Sequence, residues 1–166
     1  MAVPELIPEV GKFDRYPLMR QTSRWEWVVE EVFSFHDPVV GVITCPAPSP
    51  TDLASIRFLR EVFRWGAIIA VVFAIFSAAF GLPLVLAIVA AVIALVAVLL
   101  YAYIAGYGNR MSAMHDFLYR SKRFPKAVCD QILWRMARTG EGMARPRAAV
   151  FYLGPVLGGQ RRYGRR

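Results

Sequence analysis

Residues 65–109 read WGAIIAVVFAIFSAAFGLPLVLAIVAAVIALVAVLLYAYIAGYGN and contain no Asp, Glu, Lys, Arg or His in 45 residues. A helix needs about 20 apolar residues to cross the hydrocarbon core of a bilayer, so this stretch is long enough for two crossings. Gly81-Leu82-Pro83 interrupts it near its middle, with a glycine that can end one helix and a proline that can begin the next. The sequence therefore predicts a transmembrane hairpin with spans at about 62–80 and 83–104.

The composition favours a small membrane protein. The chain has 166 residues, of which 57% are hydrophobic, a mean hydropathy of +0.42 and a net charge of +8. The segments on either side of the hairpin are each short, so neither promises a large core of its own. We expect an all-α integral membrane protein, in which a two-helix transmembrane hairpin is flanked by amphipathic helices and extended arms.

Local patterns divide the chain into four segments. Ser23-Arg24-Trp25-Glu26 is typical of a capping box, and apolar residues follow it at helical spacing, which predicts an amphipathic helix over about 24–36. A short β-branched run at Val39–Thr44 could form a strand but has no obvious partner. Ser49-Pro50 is typical of a helix start. The predicted segments are an N-terminal arm with a Pro-rich linker (1–49), the hairpin region (50–105), short amphipathic helices (106–141) and a basic tail (142–166).

Small residues recur at helical spacing along both halves of the hairpin. Such ridges let membrane helices approach closely, so they predict packing between the two helices or against partner helices. Ser77 is the only clearly polar side chain between Gly66 and Leu100, and an ion or proton pathway would need more polar groups than this. The predicted packing residues are Gly66, Ala70, Ala74, Ala78, Ala87, Ala90, Ala94 and Ala97.

Basic residues flank the hairpin and end the chain, whereas the hairpin tip has none. By the positive-inside rule, both termini should lie on the same side, in the cytoplasm or the mitochondrial matrix. No acidic residue follows Glu141, so the tail suits anionic headgroups or an acidic protein surface, and we do not expect nucleic acid as a partner. The predicted lipid or partner contacts are Trp25, Trp27, Arg57, Arg60, Arg64, Arg145, Arg147, Arg161, Arg162, Arg165 and Arg166.

The sequence contains no pattern that predicts catalysis. Each histidine precedes an aspartate, in His36-Asp37 and His115-Asp116, but neighbouring residues on a helix point in different directions, and we interpret them as ordinary polar residues. Cys45 and Cys129 lack metal-site spacing, and no cation adjoins Cys45. Cys129 lies on an apolar helix face with Val128 and Ile132, which predicts a packing role. We expect no catalytic residue, metal or cofactor, although a structural lipid such as cardiolipin is compatible with the basic flanks.

The layout of arm, hairpin and basic C-terminus resembles the small two-helix accessory subunits of respiratory complexes and ATP synthase. The resemblance implies a non-catalytic scaffold subunit that contacts other subunits and lipids, in the mitochondrial inner membrane or alternatively in a bacterial cytoplasmic membrane or the ER. The apolar tip, Phe80–Leu84, is also similar to that of membrane-shaping or trafficking hairpins of the reticulon or prenylated-Rab-acceptor kind. An enzyme anchored by the hairpin is a third alternative, which lacks a candidate site.

Overall fold

The structure, a computed structural model, describes residues 10–23, 26–81, 83–104, 108–158 and Tyr163. The chain divides into two compact units. The first, which we call the flanking unit, combines Met1–Ile56 with Tyr107–Arg166, and the second, the hairpin unit, is Arg57–Gly106. Residues on both sides of the apolar stretch therefore belong to one folded body.

The N-terminal part of the flanking unit is built from short strands. They are β1 (Lys12–Phe13), β2 (Met19–Gln21), β3 (Trp27–Val29), β4 (Phe33–Asp37), β5 (Gly41–Cys45) and β6 (Ser49–Thr51). They form two antiparallel three-stranded sheets, one in the order β1-β4-β5 and the other in the order β2-β3-β6. The strands β4 and β5 are joined by a tight turn, in register from Phe33 opposite Cys45 to Asp37 opposite Gly41.

Helices and the loops that join them follow the strands. The hairpin region consists of α1 (Ala54–Ala79) and α2 (Leu84–Ile104). The C-terminal part of the flanking unit consists of α3 (Asn109–Ser121), α4 (Lys126–Arg135), a π-helical turn (Met136–Gly140) and α5 (Arg145–Gly158).

The all-α prediction is wrong, because the chain has two sheets in addition to its helices. Where an amphipathic helix was expected at 24–36, the structure has β3 and β4. Phe33 and Phe35 are buried while Ser34 and His36 are only half-buried, which is the two-residue period of a strand. The β-branched run at Val39–Thr44 supplies most of β5, and β4 is the partner that the sequence did not reveal.

The predicted helix start at Ser49-Pro50 is also wrong. Ser49 lies in β6, and its hydroxyl donates to the carbonyl of Pro46 at 2.5 Å instead of capping a helix. The helix begins only at Ala54, after Leu53 has taken a left-handed φ of 49°. Part of the predicted basic tail is likewise helical, since α5 begins at Arg145.

The expected extended arms are absent from the described residues, because strands and helices share a core. Phe13 packs on Phe35 with ring centroids 4.9 Å apart, and a Cβ on Gly140 would come within 2.8 Å of the Phe13 ring. Arg110, at the start of α3, stacks over Phe13 at 4.5 Å and bonds the carboxylate of Glu141 at 2.9 Å. The N-terminal sheet thus rests on the first turn of α3 and the end of the π-helical turn.

A buried ion pair also joins the two halves of the flanking unit. The carboxylate of Asp37 is fully buried, and one of its oxygens accepts from the backbone N–H groups of Val39 and Val40 in the β4–β5 turn. The other oxygen accepts from Nε of Arg135, in α4, at 2.7 Å. Asp37 therefore fixes a turn and anchors it to a helix 98 residues further along the chain.

Replacing Asp37 with Ala should destabilise the flanking unit by about 3–5 kcal/mol, because it leaves the Arg135 charge without its partner and two turn N–H groups without an acceptor. Denaturant unfolding of the detergent-solubilised full chain, followed by tryptophan fluorescence, measures this. The control is Glu30→Ala, which breaks the exposed pair with Arg20 and should cost about 0–1 kcal/mol. Equal costs for the two variants would mean that the buried pair does not hold the halves together.

Candidate functional site

Buried titratable groups in the described residues concentrate around α3, and the first group of them surrounds Asp130. One oxygen of Asp130 accepts from the Tyr119 hydroxyl at 2.5 Å and lies 3.3 Å from Nε2 of His115. The other accepts from the Lys126 ammonium at 2.7 Å. His115 and Tyr119 lie one turn apart on α3, and Lys126 and Asp130 one turn apart on α4, so two i,i+4 pairs face each other. We call these four residues the Asp130 cluster.

Burial and hydrogen bonding set the charges in the Asp130 cluster. Desolvation lowers the pKa of His115 despite the opposing influence of Asp130, so the imidazole is neutral near pH 7. Desolvation also acts to raise the pKa of Asp130, but the hydrogen bonds from His115, Lys126 and Tyr119 outweigh it and hold that pKa low. Burial, followed by the bond to Asp130, raises the pKa of Tyr119. The cluster is therefore a carboxylate with three donors and one compensating positive charge.

The Asp130 cluster is largely buried, with only Lys126 partly exposed. His115 is 1% exposed, and Tyr163 packs edge-on against the ring of Tyr119 and donates to the carbonyl of Phe124 at 2.7 Å. Ser112 lies one turn before His115 on α3, but its hydroxyl is buried and has no hydrogen-bond partner among the described residues. A serine nucleophile must bond to its base and reach a substrate, and Ser112 does neither in this conformation.

A second group lies on the adjacent side of α3, and we call it the Asp116 cluster: Thr51, Asp52, Asp116 and Arg120. The Thr51 hydroxyl donates to Asp116 at 2.5 Å, and Asp52 is the next residue after Thr51 in the chain. Arg120 donates to the carbonyl of Pro50. Burial, and after it the charge of Asp52, raises the pKa of Asp116 to about 7 against the opposing effects of Thr51 and Arg120.

The sequence pattern contained only part of these clusters. His115-Asp116 was interpreted as a pair of ordinary polar residues, and the structure shows that both are buried and that each faces a different element. The partners Thr51 and Asp130 come from other parts of the chain and could not be assigned from sequence. One part of the Asp130 cluster could have been found from the sequence. Lys126 and Asp130 are four residues apart in a segment predicted to be helical, and this spacing indicates an ion pair between them.

Neither cysteine has the character of a reactive thiol. Cys45 and Cys129 are free and fully buried. Burial raises the pKa of Cys45, and burial together with the Asp130 charge raises the pKa of Cys129 to about 11. Both thiols remain protonated near neutral pH, so packing is the role that their surroundings favour.

Within the hairpin unit, most of the predicted packing residues fall on the less exposed faces. On α2, Ala90, Ala94 and Ala97 are buried and Ala87 is half-buried. On α1 the match is poorer: Ala70 is buried, Gly66 and Ala74 are half-buried, Ala78 is exposed, and Ala67 and Ser77 are buried in addition. A shallow apolar groove lies between the helices, and its walls include Gly66 and Ala70 on α1 and Ala90 and Ile93 on α2.

The predicted lipid or partner contacts that the structure describes vary in exposure. Arg64 is exposed, stacks over Trp65 at 5.4 Å and lies 3.6 Å from Glu61. Arg145 is exposed, whereas Trp27, Arg60 and Arg147 are half-buried. Trp25, Arg161, Arg162, Arg165, Arg166 and the side chain of Arg57 lie outside the described residues.

Replacing Tyr119 with Phe should destabilise the flanking unit by about 1.5–3 kcal/mol, because it removes a buried donor to an ionised carboxylate. Unfolding of the full chain near neutral pH measures the loss. The control, Tyr16→Phe, removes a hydroxyl from a side chain that is 58% exposed and should be nearly silent. Matching unfolding midpoints for both variants would mean that the Asp130 cluster contributes no stability through Tyr119.

Replacing Ala90 with Leu should destabilise the hairpin by about 1–3 kcal/mol, because the larger side chain must enter a face that is only 5% exposed. Ala91→Leu is a matched control, since that neighbouring alanine is exposed and the same atoms are added there. Helix–helix dissociation in a denaturing-detergent titration gives both values. If the two variants behave alike, the small residues have no packing role.

No protein-family model, curated protein or solved structure matches this chain.

Proposed function

We propose that this chain is a non-catalytic scaffold subunit of a larger membrane complex, anchored by the hairpin and carrying the flanking unit on one face of the membrane. One observation carries the proposal. Two helical stretches, Arg60–Ala79 and Leu84–Tyr103, are long and apolar enough to cross a membrane. In the most apolar part of each, only 17% and 11% of the residues, respectively, are buried within the protein. Each Val, Leu, Ile or Phe side chain left in water forgoes about 1.5–3 kcal/mol, so these helices require an apolar surrounding.

Long apolar helices also occur in the cores of water-soluble domains and in signal sequences, and both settings fit this chain less well. The core helix of a water-soluble domain is mostly buried, whereas here large side chains such as Ile69, Phe76 and Leu95 are more than half exposed. A signal sequence lies near an N-terminus, and the first of these spans begins at Arg60, after six strands. Membrane insertion supplies the missing apolar contacts without a further assumption.

Folding of both flanks into one unit supports a two-pass topology with both termini on the same side. Thr51, in β6, bonds Asp116, in α3, so the chain segments that enter and leave the hairpin meet. A hairpin whose ends are held together in this way must return to the membrane face from which it started. The basic residues near its ends, Arg64, Arg110 and Arg120 among them, favour the positive-inside face for the flanking unit.

The surface of the flanking unit supports a scaffold role. The central carboxyls of its two titratable clusters, Asp116 and Asp130, are buried. Several large apolar side chains remain exposed to a degree that suits contact with partner subunits. These are Tyr16, Leu18, Val32, Val39 and Leu153, each between 50% and 70% exposed. We propose an energy-transducing membrane as the site of the complex, with the mitochondrial inner membrane as the first candidate. The bacterial cytoplasmic membrane and the ER are the alternatives, and cell fractionation distinguishes the three.

The test is mild detergent extraction of the tagged full chain from its native membrane, followed by native electrophoresis and identification of co-purifying proteins. We expect the chain to resist alkaline extraction and to migrate at high mass with fixed partner stoichiometry. Migration as a small oligomer of this chain alone would instead favour a membrane-shaping hairpin. Release of the intact chain by alkaline carbonate would contradict membrane insertion.

The same membranes give the topology by labelling with an impermeant maleimide. Val39→Cys and Leu84→Cys place thiols at positions that are 70% and 74% exposed, one in the flanking unit and one at the hairpin tip. The buried native thiols give a low background. We expect opposite faces to label the two sites, with the Val39 site on the positive-inside face. Labelling of both from one face would rule out a complete crossing.

A further inference from the structure

Helix α5 is apolar on its outer side as well as on its inner side. The sequence from 148 to 158 contains no charged side chain. On the inner side, Ala148 and Phe151 are fully buried in the flanking unit. On the outer side, Leu153 is 50% exposed and Val156 is 38% exposed. A helix that is apolar all round is normally buried, so the outer side of α5 requires an apolar surrounding that the inner packing does not supply.

Exposed cations border the outer side of α5 at both ends. Arg145, in the first turn, is exposed and precedes Leu153 by eight residues, which places the two on the same side of the helix. Near the other end, the carbonyl of Pro155 accepts from the ammonium of Lys126 at 3.1 Å. The last turns of α5 therefore lie against the start of α4, next to the loop that joins α3 to α4.

The α3–α4 loop supplies the cations at that end. Lys122 and Arg123 are both exposed. The hydroxyl of Tyr163 donates to the carbonyl of Phe124, in the same loop, at 2.7 Å. Tyr163 belongs to the most basic stretch of the sequence, since residues 161–166 include four arginines. Positive charge therefore gathers where α5 ends.

The acids of the C-terminal part of the flanking unit are withdrawn from its surface. After residue 108 the sequence has three acids, Asp116, Asp130 and Glu141. Asp116 is 7% exposed, and the side chains of Asp130 and Glu141 are 6% and 10% exposed. The last two are paired with Lys126 at 2.7 Å and with Arg110 at 2.9 Å. These acids do little to offset the exposed cations, so the potential over this part of the surface is positive.

We propose that the outer side of α5 docks on the anionic headgroups of the membrane that holds the hairpin, with its two exposed aliphatic side chains below the level of the phosphates. We call this the α5 docking surface, and it consists of Lys122, Arg123, Arg145, Leu153 and Val156. The inference rests on the proposed function and deepens it, because a hairpin in the bilayer keeps the flanking unit beside the headgroups at a high effective concentration.

A bilayer fits the α5 docking surface better than an acidic protein does. Interfacial helices insert an apolar face about 5–10 Å into the boundary between headgroups and acyl chains, with basic residues around it. A stable protein interface buries about 1,200 Å² or more and is centred on large anchors such as Trp or Tyr, whereas two aliphatic side chains form the centre here. We therefore assign Leu153 to lipid and leave the exposed apolar side chains of the N-terminal part to partner subunits.

The test compares the full Leu153→Cys chain in nanodiscs of phosphatidylcholine alone and in nanodiscs that also contain phosphatidylglycerol. The measurement is the rate of modification by an uncharged, impermeant polyethylene-glycol maleimide. We expect modification to be at least about fivefold slower in the anionic discs, because each Lys or Arg near an anionic surface contributes about that factor to docking. Val39→Cys, 70% exposed in the β4–β5 turn, is the control and should react equally fast in both. Equal rates for Leu153→Cys in the two lipids would overturn the proposal.

Charge removal shows whether the α5 docking surface itself is responsible. Lys122→Gln with Arg123→Gln, introduced into the Leu153→Cys chain, should restore in anionic discs the rate seen in neutral discs. Lys12→Gln with Arg15→Gln removes the same two kinds of charge from exposed positions in the N-terminal part and should leave the modification slow. Equal recovery in both double variants would mean that only the net charge matters, which would overturn the assigned surface.

Failure of this inference is distinguishable from failure of the proposed function. A chain that resists alkaline carbonate but shows no lipid dependence at Leu153→Cys keeps its membrane anchor and loses the docking surface. A chain that carbonate releases loses both. Slow modification in the native membrane that is absent from anionic discs would identify a protein as the occupant and overturn the lipid assignment. Val156→Cys is the second probe, which keeps the test decisive if Leu153→Cys fails to fold.

Discussion

Packing of the N-terminal strands on the C-terminal helices is the constraint on which the rest of the structure depends. Neither flank of the hairpin can bury its apolar side chains alone, because the sheet β1-β4-β5 offers Phe13 and Phe35 on one side and the other wall of the core comes from the π-helical turn and α3. Three polar links then fix how the halves meet: Asp37 with Arg135, Arg110 with Glu141 and Thr51 with Asp116. The first and last of these join groups that are largely out of water, so a misaligned packing would leave charges or donors unsatisfied.

This constraint explains how a long apolar segment can interrupt a folded unit. The entropic cost of closing a loop grows only slowly with its length, so the insertion of two helices between β6 and α3 costs little more than a short loop would. The two ends of the inserted segment must lie close together. They do so because Thr51 contacts Asp116 and Pro50 contacts Arg120. The left-handed Leu53 backbone then directs the chain from a strand into a helix within two residues.

Sequence patterns predicted the helices of this chain far better than its strands. The apolar run with its Gly81 break is unambiguous, because charge is absent over the whole length of α1 beyond Arg64 and of α2. The strands are only two to five residues long, and such short segments carry too few residues to separate a two-residue period from a helical one. Two signals of a β-hairpin were present: the alternation from Phe33 to Asp37 and the β-branched run at Val39–Thr44. The polar clusters were out of reach for a different reason, since Asp130 and Thr51 meet α3 only after the chain has folded.

Helix α3 concentrates these late-forming contacts on two adjacent sides. On one side, His115 and Tyr119 face α4. The residues that follow each of them in the chain, Asp116 and Arg120, face β6. Burial shifts the pKa of one group on each side, in opposite directions. Because burial lowers the pKa of His115, its contribution to stability is lost as the pH falls below the unfolded value of about 6.5. Burial raises the pKa of Asp116 to about 7, so its contribution is lost as the pH rises through about 7. Their effects on the global free energy of unfolding partly offset each other over this range.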